Sequence, residues 1–399
     1  MAREALTVEG RPILYPLGAA VGVAELETDP HPALARLRQQ EPVSWLPALD
    51  GWLVTRHDLA LEVVRDAETF TVDDPRFSTA QVVGPSMLSL DGAEHARHRG
   101  PFARPFRLDA VRERFTAFVG DEVDRLIDEI ELHGAAELRL SLAGPLAVAS
   151  MVHALGLEET DPADALGWYD AIVAEVTRIT AGETAGGAGT RAFVELRDAV
   201  EPALDRDPST SLVAAAAGEA GGLSRADVVS NAAVLLFGGI ETTEGMIANA
   251  IWHVLQSYAV RDLVASDSAL VECAVEESLR LEPAAAVVDR YATRDVTLGG
   301  AAIRERELVR VSLAGANRDP AMFTDPDRFD VRRPNAHRHL AFVHGPHVCL
   351  GMHLARLEAQ TALARLLERL PGLRLDPEKP SFASGLVFRK PESVHVRWG

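Results

Sequence analysis

The chain has 399 residues, 47% of them hydrophobic and 25% charged, with a net charge of −19. This is the composition of a globular protein with a large core, and its acidic balance argues against nucleic acid, whose phosphates need a basic footprint. The longest apolar stretch, residues 12–24, is interrupted by Pro16, Gly18 and Gly22, well short of the roughly 18 residues a membrane helix needs. No signal peptide is expected, and two cysteines cannot form a disulfide scaffold, so a cytoplasmic chain without membrane attachment is expected.

In chain order, HPALARLRQQ (31–40) opens a helix, and VSWLPALDGWLVT (43–55) reads as two short strands around an Asp50–Gly51 turn. From residue 57 to about 283 the apolar period is mainly helical, with glycine-rich breaks at 180–190 and 214–224. Beyond Pro283 come strand-like runs at 296–300 and 308–313, then a Pro- and Asp-rich meander at 317–334. One more helix, CLGMHLARLEAQTALARLLERL (349–370), precedes a hairpin-like tail. With no internal repeat and no dividing linker, residues 1–399 read as one domain, mainly α with a minor β region.

Three features carry chemistry. The segment 224–256 opens with Ser224 and Asp227 in a capping-box pattern and is apolar for most of its length, yet holds Gly238, Gly239, Glu241, Thr242 and Thr243 at its middle. Each interior glycine costs about 1 kcal/mol relative to alanine, and a buried carboxylate costs more unless paired. Two explanations stay open: a widened groove where a ligand meets backbone, or close helix packing at the glycines with Thr242 bonded back to its own helix. In VEESLRLEP, Glu277 and Arg280 share one helix face ahead of Pro283. In AFVHGPHVCLG (341–351), one of the two cysteines sits among Gly, Pro and His. His344, His347, Cys349 and His353 could ligate zinc, although structural zinc sites gather ligands from two separated halves. A buried apolar thiol in a turn is another reading, and a thiolate at a helix N-terminus, stabilised by free amides, suits an anionic sulfur ligand on another metal centre. An iron–sulfur cluster would need about four cysteines.

The basic residues are also unevenly placed. Of 40 cations, 38 are arginines, with six between Arg97 and Arg114 and four between Arg328 and Arg338. Either these are solvated faces or they receive an acidic partner.

Taken in order, G238-G-I-E-T242, E277-S-L-R280 and F342-x-x-G345-x-x-x-C349-x-G351 resemble the motifs of the cytochrome P-450 haem-thiolate monooxygenases, soluble bacterial type. The resemblance covers nearly the whole chain from about residue 28, leaving about 1–27 as a short N-terminal extension. It implies the cytochrome P-450 fold, haem b (iron protoporphyrin IX) as cofactor, and Cys349 as axial thiolate, a ligand that favours O–O cleavage. It places Thr242 beside bound oxygen, with Glu241 as proton-relay acid, and makes Glu277 and Arg280 a buried structural pair. His95, Arg99, Arg290 and His347 match positions that bind the haem propionates, where charge-assisted bonds are strong. The pocket would draw on the 77–88 loop, the region around 168–190, Phe237, Val287, Val288, Leu386 and Val387, and so take a small or medium hydrophobic substrate.

The resemblance implies electrons from an external partner, an acidic ferredoxin or similar carrier with its reductase, and no fused flavin or iron–sulfur domain is expected. Arg104, Arg107 or Arg112 with Arg332, Arg333 or Arg338 would form its docking patch. Peroxide-driven or coupling oxidation is the alternative enzyme reading, and a non-catalytic haem sensor the alternative outside enzymes. One departure stands out: Val343 replaces the usual glycine after Phe342. A β-branched residue is not expected at positive φ, so a different bend is expected there. Cys273, without such context, is expected to be a core thiol.

Overall fold

A computed structural model of the chain describes residues 14–180, 184, 186–208, 211–218 and 222–399, with the backbone of 7–8 and 11–12. Parts of the expected N-terminal extension and of both glycine-rich breaks lie outside the described residues. The chain gathers into two compact units, each built from separate stretches. The first comprises Met1–Thr71, Glu276–Val348 and Phe382–Lys390; the second comprises Val72–Val275, Cys349–Ser381 and Pro391–Gly399.

The first unit is organised on five strands: β1 (Val43–Leu46), β2 (Gly51–Val54), β3 (Phe70–Thr71), β4 (Val287–Ala292) and β5 (Leu308–Ser312), in the order β1-β2-β5-β4-β3. β2 and β5 pair in parallel, with Trp52 opposite Val309 and Val54 opposite Val311, and the other neighbours are antiparallel. The two strands expected around Asp50–Gly51 are β1 and β2, joined by one 3-10 turn and Asp50 at φ 45°. Trp52, Leu53, Val54, Val309 and Val311 are buried, as in an interior strand pair covered on both faces. Residues 16–28 form two short helices that bury Val21 and Leu26 in a cluster with Leu34, Leu37, Leu46 and Leu53.

The second unit is helical. Its site-bearing helices are α1 (Gly92–Ala103), α2 (Gly144–Leu155), α3 (Pro162–Thr180), α4 (Ala188–Ala203), α5 (Arg225–Leu255) and α6 (Met352–Arg369). α5 has 31 residues, about 46 Å at the helical rise, and packs against α2, α3, α4 and α6. Ser224 and Asp227 form the expected capping box at its start. The terminal strand His395–Arg397 lies between Arg374–Leu375 and Ala135–Glu137 in a small antiparallel sheet.

Mainly helical with minor sheet is therefore the observed class. Two expectations are corrected. Cys273 is exposed, not in the core: it lies in the first half of its helix, where Ala269 and Glu272 are exposed too, whereas every residue of 274–280 is buried. Val343, expected to avoid positive φ, adopts it, at 58°.

Candidate active site

The final helix begins at Met352, with Gly351 as N-cap, so Cys349 lies in the turn just ahead of it. The backbone amides of Gly351 and Met352 hydrogen-bond to its sulfur, and Arg99 and Arg356 are close enough to act on it by charge. Burial pushes the thiol pKa up, while those amides and cations pull it down. The residue as a whole is intermediate in exposure; desolvation reflects how closely protein atoms surround the sulfur. Arg99 and the buried His95 both project from α1, as their four-residue spacing requires. Burial lowers the Arg99 pKa, and the nearby Cys349 opposes that shift.

At the middle of α5 the two glycines behave differently. A Cβ on Gly239 would stand 2.2 Å from Met151 Sδ, whereas one on Gly238 would meet nothing within 4 Å. Close packing against α2 thus explains Gly239, and Gly238 faces open space. Thr242 Oγ1 donates to Gly238 O at 2.6 Å, which is the back-bonded arrangement considered from sequence. A hydroxyl whose proton is committed this way still offers acceptor lone pairs. Next to it, Glu241 is buried and accepts a hydrogen bond from the Tyr169 hydroxyl of α3. Sequence reasoning put the region around 168–190 at the pocket but missed Tyr169 as a partner of Glu241, 72 residues away.

In the first unit, Glu277 and Arg280 form the expected buried pair, both side chains 0% exposed, with contacts of 2.7 Å and 2.8 Å. Arg280 also donates to the carbonyls of Asn317, Pro326 and Arg328, so the pair fastens the meander. Arg333 joins it, its Nε 3.0 Å from Glu277 and its side chain 6% exposed. It is a structural cation, which removes it from the expected docking patch.

The loop before Cys349 turns through Val343 and Gly345, with Val343 N donating to Leu340 O at 2.8 Å and Val348 N to Gly345 O at 3.2 Å. His347 in this loop is intermediate in exposure. Arg290 is buried on β4 and donates to Asp289 O at 2.7 Å. Val287 and Val288 lie on β4, and Val387 O accepts from Ala286 N at 2.8 Å, which brings these three expected pocket positions together with Leu386. Among the described residues, no group of three or more His, Cys, Asp and Glu could hold a metal ion, so the zinc reading finds no ligand set. No described helix is long and apolar enough to cross a membrane.

The sequence profile of the family described as Cytochrome P450 matches residues 265–396. Nocardicin C N-oxygenase of Nocardia uniformis subsp. tsuyamanensis is 36% identical over 400 residues, covering 96% of this chain and 98% of that protein. Cytochrome P450 monooxygenase PikC of Streptomyces venezuelae is 34% identical over 388 residues, covering 94% and 92%. The crystal structure of P450BioI in complex with hexadec-9Z-enoic acid ligated acyl carrier protein superposes with a TM-score of 0.85 at 28% identity, covering 93% of this chain and 99% of that one. With a cysteine set on helix amides, an acid–alcohol pair in the long helix and relatives alike over almost their full length, the chain belongs to the cytochrome P450 family and is a haem-thiolate monooxygenase.

Proposed function

We propose that Cys349 is the axial ligand of haem b, that His95, Arg99, Arg290 and His347 bind its propionates, and that Thr242 and Glu241 deliver protons. The observation that carries this reading is the seat of Cys349: two backbone amides and two arginines set on the sulfur, each pulling its pKa down against the larger effect of burial. These donors fit a thiolate ligand, and iron binding would draw the thiol to its deprotonated form despite burial. Haem, when bound, supplies oxygen binding and activation. The protein's share is to position substrate, exclude water and supply protons. Thr242, with its proton on Gly238 O, presents Oγ1 as an acceptor toward the open side of α5. Glu241 would hold the proton passed inward through that acceptor or an ordered water.

An acidic ferredoxin with its reductase is the proposed electron source, supported by the exposed Arg104, Arg107 and Arg112 on an otherwise acidic chain. The substrate is proposed to be a small or medium hydrophobic molecule, in keeping with the apolar residues Phe237, Val287 and Val288 at positions the family resemblance gives to the pocket. The whole chain is proposed to act as one haem-thiolate domain in the cytoplasm, a compartment in which its two free cysteines stay reduced.

Thr242→Ala tests the proton role. On a compound selected by displacement titration of the ferric spectrum, it should bind haem and compound as the parent does. It should release most electrons as hydrogen peroxide, with product per electron pair consumed falling about tenfold or more, a floor below the roughly 10²–10⁴-fold of a full general acid–base contribution. Unchanged coupling removes Thr242 from proton delivery.

A further inference from the structure

The sequence pairs an acid with an alcohol on α5; the structure adds a phenol from a different helix. Tyr169 and Glu241 are 5% and 6% exposed, and the Tyr169 hydroxyl donates to Glu241 Oε2. A carboxyl group so placed is costly without a hydrogen-bond partner, and the phenol supplies one to Oε2. The donor is also held rigidly. On α3, Tyr169, Ile172 and Val176 are buried at helical spacing, and Trp168 Nε1 donates to Glu195 of α4 at 3.2 Å. At the end of α3, Glu175 accepts from the amides of Gly187, Ala188 and Gly189 at 3.0, 3.2 and 3.3 Å, which ties α3 to the start of α4. Gly189 is required there, since a Cβ would stand 2.6 Å from Glu175 Cβ.

We infer that Tyr169 is a positioning residue of the proton path: its hydroxyl fixes Glu241 Oε2 and so orients the carboxyl that serves Thr242. The inference rests on the roles proposed for Glu241 and Thr242. Tyr169 keeps its own proton throughout. The carboxyl gives up a proton inward and regains one from water, so the phenol is a fixed donor and not a station on the path. Seating of α3 thereby becomes a condition for proton delivery, because displacing this helix removes the donor from Glu241.

The test uses the haem-loaded full chain with Tyr169→Phe, Glu241→Gln and the double variant. The infrared carboxyl band of Glu241, identified by its loss in Glu241→Gln, should shift in Tyr169→Phe as the phenol bond disappears. Guaiacol oxidation driven by hydrogen peroxide, which also needs proton transfer before the O–O bond breaks, should show a kcat several-fold lower. Its KM should stay unchanged, and its solvent deuterium isotope effect should rise. In the Glu241→Gln background, Tyr169→Phe should add no further loss. An additive loss overturns the inference, since it marks packing damage independent of Glu241. An unshifted band with parental kcat overturns it too, provided Glu241→Gln itself is impaired. If Glu241→Gln keeps the parental kcat and isotope effect, the reading of Glu241 fails first and takes the inference with it.

Discussion

The backbone around the cysteine loop stores conformational strain at one position and depends on glycine at another. Val343 holds φ 58° while packing against the core cluster of Val43, Trp52, Val64 and Leu340. A left-handed β-branched residue costs roughly 1–3 kcal/mol, and the apolar contact offsets part of this. The expectation from sequence weighed only the cost, because a packing partner distant in sequence is invisible there. At Gly345 no offset exists. Its φ is 78°, and a Cβ would lie 2.6 Å from Val64 O and 3.0 Å from Arg65 Cα, both backbone. Gly345→Ala should therefore destabilise the protein by about 2 kcal/mol or more, seen as a lowered Tm with easier loss of haem. A Tm equal to the parent's would show that the loop has another conformation available.

Among elements, α6 carries both the cysteine turn and a buried acid. Glu358 is 2% exposed, with Ser150 of α2 as the polar side chain set against it. Burial raises its pKa from 4.5 to about 8, and the Ser150 contact opposes the rise only in part. Between those two values the folded state binds more protons than the unfolded one, so this group's contribution to stability declines as pH rises from about 4.5 through about 8. Glu358→Gln should flatten that decline in urea melts taken across the interval, and a parental slope in the variant would place the titration elsewhere. The element scale also shows what sequence makes legible. The capping box of α5, the two strands about Asp50 and the buried Glu277–Arg280 pair follow from local spacing or motif, and all are present. The exposure of Cys273 was not legible, because Glu276, Glu277 and Arg280, which share its helix face, are buried. Tyr169 was not either, because an aromatic on an amphipathic helix reads as core whether or not its hydroxyl has a buried partner.

Across the whole molecule, charge is distributed against the net sign. The chain carries −19, yet Arg104, Arg107 and Arg112 are exposed together in the second unit. Arg112 also acts on His353 near the start of α6: burial lowers that histidine's pKa, and the charges of Arg356 and Arg112 lower it further. This end of the patch is thus near the cysteine turn. An acidic carrier steered there should react more slowly as salt rises, since screening shortens to about 10 Å at 0.1 M. Arg107→Glu with Arg112→Glu should raise the KM for ferredoxin about tenfold or more at low salt while leaving compound binding and peroxide-driven turnover near parental values. Ferredoxin kinetics insensitive to both salt and these charges would make the arginines a solvated face.

The most direct measurement is the spectrum of the reduced, carbon monoxide-bound protein in Cys349→Ser. The cysteine turn sets the amides of Gly351 and Met352 and the cations Arg99 and Arg356 around the sulfur, the arrangement proposed to hold a thiolate. The parent should show the thiolate-type absorption of its family, and the serine variant should lose it even where haem is retained. Persistence of that band in Cys349→Ser would contradict the assignment of Cys349 as the haem ligand.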